Sequence, residues 1–130
     1  QPYFFISGMA TGWDTACALA AIDLNIHLVA AIPFADQHIR WPRSDQVVYK
    51  SILARAVRVE LVDQAHPHAT LNQKFQRRNE WMVDRCDRLL ALWDGSPGGT
   101  ANCLIYAGRV KRPYDNLWEQ FANNRAATPA

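Results

Sequence analysis

Two short stretches set glycine, hydroxyl and carboxylate side by side: "SGMATGWD" (Ser7–Asp14) and "DGSPGGT" (Asp94–Thr100). Each follows an apolar run and opens a segment of helical period. A helix N-terminus carries unpaired N–H groups and a partial positive charge, and so attracts phosphate. A side chain would hold the phosphate off; glycine does not. In the first stretch Gly8 and Gly12 let the backbone close in around Met9, while Ser7 and Thr11 offer hydroxyls. In the second, Gly95, Gly98 and Gly99 bare the main chain, Ser96 and Pro97 shape the turn, and Thr100 stands at the helix start. Neither stretch fits GxxxxGK[ST] or GxGxxG, which argues against a kinase, a GTPase or an ordinary dehydrogenase.

Two carboxylates lie at these turns. Asp14 suits either the charge of a helix N-terminus or contact with a ligand, and Asp94 either turn initiation or a bond from a ribose hydroxyl. They are the only carboxylates there with a claim to catalysis. In "QRRNEWMVD", Arg78 follows Phe75 by three residues and precedes Met82 by four, so it borders the apolar face of its helix. From there its guanidinium can reach the strand ends and meet phosphate in fork geometry, or snorkel to solvent. Asn79 can orient Arg78 or a ligand. Arg77 and Trp81 fall elsewhere on the wheel, toward the surface. The loop from Pro33 to Pro42 follows an apolar run, and its Phe34 or Trp41 could stack on a base; core packing is the plainer job for Trp41.

These groups need elements to hold them. "YFFIS" (Tyr3–Ser7), "HLVAAIPF" (His27–Phe34), "VRVELV" (Val57–Val62) and "RLLALWD" (Arg88–Asp94) read as strands, and their continuous apolarity predicts cover on both faces. Between them run helical periods. Trp13, Ala16, Cys17, Ala20 and Leu24 share one face before a stop at Asn25. Ser44 is placed to cap a helix with Tyr49, Ile52, Leu53 and Ala56 inward. Phe75, Asn79, Met82, Val83 and Cys86 line the next, and Thr100–Ala107 the last. "KRPYDNLWEQF" (Lys111–Phe121) predicts a short edge strand, then a helical turn whose Leu117, Trp118 and Phe121 cap the sheet edge. Alternating strands and helices with right-handed crossovers give a doubly wound α/β fold with an open, mainly parallel sheet.

The 130 residues make one domain by size, with 124–130 as a fraying tail. With 49% hydrophobic and 20% charged residues the composition is that of a soluble globular protein, and a net charge of +2 is too small to argue for nucleic acid or an anionic membrane. No apolar run approaches the roughly 20 residues of a membrane span, and nothing resembles a signal peptide. Cys17, Cys86 and Cys103 are odd in number and form no CxxC pair, which fits buried thiols in a reducing cytoplasm. "HPH" (His66–His68) lacks a third ligand, so no metal is expected.

Taken together, "ISGMATGWDTACALAA", "LVAAIPFADQ", "RWP", "QRRNEWMVD" and "LLALWDGSPGGTANC" resemble the SLOG superfamily, Rossmann-like proteins related to the lonely-guy and SMF DNA-processing families. The resemblance covers Tyr3 to Trp118 and is greatest to small stand-alone members from bacteria and phages. It implies a Rossmann-like three-layer α/β/α sandwich and a pocket for a nucleotide or nucleotide-derived ligand, with no separate cofactor evident. The walls would be Ser7–Gly12 with Asp14, Pro33 and Phe34, Arg78 with Asn79, and Asp94–Thr100. Lonely-guy enzymes carry an Arg-Lys pair and a glutamate after the glycine loop; here Arg78 matches the arginine, but Asn79 follows it. Ala101, Asn102 and Cys103 follow Thr100 without a carboxylate. The source of stabilisation for an oxocarbenium-like transition state is therefore missing.

Members of this branch usually have a further strand and a Thr-Gly-His-Arg-Pro-like loop ahead of the segment that begins here at Tyr3. The expected sheet lacks that first strand, and a second subunit is expected to cover the uncovered edge. The leading expectation is thus a nucleotide-binding protein, a sensor or sequestering module for an ADP-ribose-like ligand. An N-glycosidic hydrolase or transferase stands second, and a purely structural or protein-interaction domain third.

Overall fold

Among the described residues five strands and five helices alternate: β1 (Phe4–Ser7), α1 (Trp13–Asp23), β2 (His27–Ile32), α2 (Arg43–Arg55), β3 (Arg58–Leu61), α3 (Leu71–Arg85), β4 (Leu89–Ala91), α4 (Gly99–Arg109), β5 (Tyr114–Asn116) and α5 (Trp118–Ala127). The computed structural model describes residues 3–63 and 68–127. Among the described residues every strand pairing is parallel, so β1–β2, β2–β3 and β4–β5 are each joined through a helix, and the chain is an open α/β fold of Rossmann-like type. The chain divides into two compact units, residues 1–82 and 83–130.

In the first unit the order is β1-β2-β3, with Phe5 opposite Leu28 and Ala31 opposite Glu60. The central strand β2 is the buried one, as its apolar run requires: Leu28, Ala30, Ala31 and Ile32 are all enclosed. Cover on both faces does not extend to its neighbours. β1 is enclosed only at Ser7, and β3 exposes Arg58 and Val59. Each has a neighbour on one side only, β2, so both are edge strands of this sheet and are less enclosed than the strand between them. The core is built by Met9, Ala18, Leu28, Ala30, Ile32, Tyr49 and Ile52, with Trp41, Leu53 and Ala56 packed against it.

The helix boundaries have local causes. α1 ends where Asn25 takes a left-handed φ of 59°. Ser44 does not cap α2: the helix starts one residue earlier, behind Pro42, and no side chain bonds its first amides. Pro42 stands at the cap position and has no side-chain oxygen with which to bond an amide. α3 opens on a reciprocal pair, the Thr70 amide donating to Gln73 Oε1 (2.9 Å) and the Gln73 amide to Thr70 Oγ1 (3.2 Å).

In the second unit β4 pairs with β5, Leu90 opposite Asp115, and Asn116 clips the strands' ends together. Its side chain accepts from the amides of Trp93 (3.0 Å) and Trp118 (3.1 Å) and donates to the Trp93 carbonyl (2.9 Å). The expected strand and helix between Lys111 and Phe121 both exist. Trp118 and Phe121 pack on one another at 5.6 Å and remain 37% and 36% exposed. The helix runs through Ala127, beyond the start of the expected tail, while residues 128–130 lie outside the described part.

Candidate functional site

The chain leaves β1 at Ser7 and must reach α1 at Trp13 in five residues. The turn is closed by its own side chains. Ser7 Oγ accepts from the Met9 amide (3.1 Å) and donates to the Asp14 carbonyl (3.0 Å). Asp14 Oδ2 accepts from the Ala10 amide (3.2 Å), and Thr15 Oγ1 donates to the Ala10 carbonyl (2.8 Å). Met9 is fully buried yet sits at φ 60°, a region that a side chain with a Cβ rarely enters. Gly12, at φ 83°, precedes α1 without any side-chain cap, and Thr11 and Gly12 are exposed.

Arg78 lies on this turn. It is 6% exposed, and its Nη1 donates to the Gly8 carbonyl while its Nε donates to Asn79 Oδ1 (3.1 Å). This explains Gly8: a Cβ built there would stand 2.7 Å from Arg78 Nη1 and 2.8 Å from Cζ. The glycine serves the guanidinium first. Of the two readings of Arg78, reaching the strand ends is the observed one. Gln37, in the loop after β2, closes the group, with Nε2 3.4 Å from the Met9 carbonyl and Oε1 3.5 Å from Arg78 Nη1.

Asp14 is half-buried in the first turn of α1. Loss of hydration pushes its carboxyl above the usual range, against the opposing pull of the Arg78 charge and the Ala10 amide. Burial, with the negative charge of Asp14, also pushes the half-buried Cys17 thiol up to about 11, so it is a poor nucleophile at neutral pH. Cys86 and Cys103 are half-buried too, rather than enclosed.

Pro33 is buried at the end of β2. The Phe34 ring already has neighbours: it meets Phe75 edge-on at 5.6 Å, and Lys74 Nζ lies 5.6 Å from its centroid. Trp41 packs edge-on to Tyr49 at 5.2 Å, which bears out its core role. Arg77 is not simply a surface residue. It bonds Asp63 Oδ1 at 2.8 Å, and Lys74 stands 3.8 Å from the other oxygen, so a buried carboxylate after β3 tethers α3.

The second glycine turn belongs to the second unit. Residues 94–100 are exposed throughout. Asp94 Oδ1 accepts from the amide (3.0 Å) and hydroxyl (2.6 Å) of Ser96, which holds its carboxyl below the usual range, and Trp93 Nε1 donates to the Ser96 carbonyl (2.8 Å). Gly95 and Gly98 take φ of 93° and 149°, so the backbone itself requires them. Gly99 has no such φ and open space where a Cβ would stand. α4 starts behind Gly98 with no side-chain cap and no acid in its first turn.

The structure brings Ser7, Gly8, Met9, Asp14, Arg78 and Asn79 together, and with them Gln37, which the sequence analysis does not single out. "PFADQ" carried only a generic loop signal. The T-x-x-Q pattern of Thr70 and Gln73, by contrast, was there to be read as a helix start. Among the described residues no three His, Cys, Asp or Glu side chains converge on a metal position, and no helix is long and apolar enough to cross a membrane. His66 lies outside the described part.

A family profile described as "YspA SLOG family" (YpsA) matches residues 4–117. The chain belongs to the YpsA branch of the SLOG proteins. Among YpsA-like relatives, the "Uncharacterized SPbeta prophage-derived protein YoqJ" of Bacillus subtilis (strain 168) is 35% identical over 121 residues, covering 83% of this chain and 71% of that one. A "UPF0398 protein" of Bacillus pumilus (strain SAFR-032) is 34% identical over 105 residues, 81% of this chain and 55% of the other. A third, from Bacillus thuringiensis (strain Al Hakam), is 23% identical over 97 residues, 75% of this chain and 52% of the other. The chain therefore spans about half the length of these two UPF0398 relatives. YpsA membership supports a nucleotide-related, Rossmann-like protein.

Proposed function

We propose that the chain binds a nucleotide or nucleotide-derived anion of ADP-ribose type and holds it without turnover. What carries the reading is Arg78: a guanidinium charged at every ordinary pH, seated against glycine at the carboxyl end of β1. In open α/β sheets ligands sit beyond the carboxyl ends of the strands, and fork-shaped donors there suit phosphate. The absence of an acid from the first turn of α4 favours binding over glycosidic cleavage, which needs a carboxylate to protonate, attack or stabilise.

A second reading, N-glycosidic hydrolysis, draws on one observation. Asp14 has its carboxyl raised by burial, the property of a general acid. Its Oδ2 is engaged by the Ala10 amide, a job that holds the turn closed and competes with proton transfer.

Calorimetric titration with AMP, ADP, NAD and ADP-ribose separates the two, with chromatography of each mixture for released base. Binding without release is the expected result. Released base that disappears in Asp14→Asn establishes the second reading. No heat with any of the four overturns both.

A further inference from the structure

Gln37 belongs to a loop fastened on both sides of it. The Gln37 amide donates to the Phe34 carbonyl (3.2 Å), Ile39 to Asp36 (3.1 Å) and Trp41 to His38 (3.0 Å). The His38 ring stacks on Tyr49 at 4.6 Å, and Gln46 Nε2 donates to the Trp41 carbonyl (2.8 Å). A side chain on so well-held a loop has little freedom. Gln37 is 8% exposed, and its carboxamide lies among three polar groups from distant parts of the first unit.

Only one orientation of that carboxamide works. Its Nε2 faces the carbonyls of Gly8 (3.5 Å) and Met9 (3.4 Å), which can only accept, and its Oε1 faces Arg78 Nη1 (3.5 Å), which can only donate. Because Arg78 also donates to the Gly8 carbonyl, the three groups form a closed triangle around the left-handed residue of the turn. Contacts of 3.4–3.5 Å are long for hydrogen bonds, so each is weak alone and the three act together. The carboxamide is also neutral. A glutamate at this place would pair with Arg78 and cancel its charge, and its oxygens would face the two carbonyls.

We propose that Gln37 is a positioning residue, which locks Arg78 onto the β1 turn without bringing a charge of its own. The consequence for binding rests on the nucleotide reading above; the lock itself does not. Two variants of similar size separate polarity from packing: Gln37→Leu removes donor and acceptor, and Gln37→Glu keeps an acceptor and adds charge. The first readout is the Arg78 Nε–Hε signal in nitrogen–proton NMR, identified by its loss in Arg78→Lys. The second is the affinity for ADP-ribose.

Gln37→Leu should broaden or shift the Arg78 signal, speed its exchange with solvent, and weaken ADP-ribose about tenfold, the scale of one lost bond to a charged group. Gln37→Glu should move the signal in the direction of an ion pair and weaken ADP-ribose at least as much. An Arg78 signal unchanged in Gln37→Leu overturns the proposal. Should that variant fail to fold, an unchanged signal in Gln37→Glu does the same. If the wild type binds no ADP-ribose, the binding reading falls, and the Arg78 signal still decides the positioning role.

Discussion

The two glycine turns share one grammar in the sequence and are built on opposite plans. The β1 turn is closed: Ser7, Asp14 and Thr15 bond its backbone, Met9 is buried at positive φ, and Arg78 covers Gly8. The β4 turn is open: residues 94–100 are exposed, and Asp94, Ser96 and Trp93 bond one another across it. Glycine therefore has two separate causes here. At Gly8 it makes room for a protein side chain, at Gly95 and Gly98 it permits a backbone angle, and at Gly99 neither reason applies within the protein.

Substitution at each position tests that contrast. Met9→Ala should have the largest effect, lowering stability by about 2–5 kcal/mol through the cavity it leaves, read from denaturant unfolding. Only an exposed or collapsible site would let it pass unnoticed. Gly8→Ala comes next: its methyl collides with the Arg78 head, costing about 1–3 kcal/mol. The same Arg78 NMR signal should move, and an undisturbed one would mean the guanidinium does not lie over Gly8. Gly99→Ala should leave stability unchanged or raise it by up to about 1 kcal/mol, because alanine favours helix and meets nothing. Weakened ADP-ribose binding in that stable variant would place the ligand at the α4 terminus; equal binding would keep it away.

The smallest effects distinguish the turns by sign. Asp14 has its carboxyl raised above 3.8, so the folded chain holds that proton more tightly than the unfolded chain does. Its contribution is greatest below pH 3.8 and falls as pH rises through the raised value. Asp94 is lowered from 3.8, so its contribution is present above that value and is lost as pH falls through the depressed one. Urea midpoints measured across this acid range in Asp14→Asn and Asp94→Asn should change slope in opposite directions. Equal directions would contradict the difference in environment.

How much of this was legible follows from the range of the forces involved. Helix faces and strand order depend on local period, and Tyr49, Ile52 and Val83 face inward as their spacing requires. Arg78 was legible because it stood at the border of an apolar face. Gln37 was not, since the groups it meets are 28 to 41 residues away and a loop has no period to mark its inward side. The strand edges misled for a related reason: exposed Val59 and buried Ala30 look alike in composition, and only the neighbour across the sheet distinguishes them. Trp118 and Phe121 satisfy each other on one helix, so their apolarity carried no information about a sheet edge.

The most direct test is a paired titration of ADP-ribose into wild type and Arg78→Lys, with thermal unfolding of both. Lysine keeps the charge but loses the fork, so affinity should drop by about tenfold or more while the fold survives. Equal affinity in the two proteins would show that the guanidinium on the β1 turn does not meet the ligand.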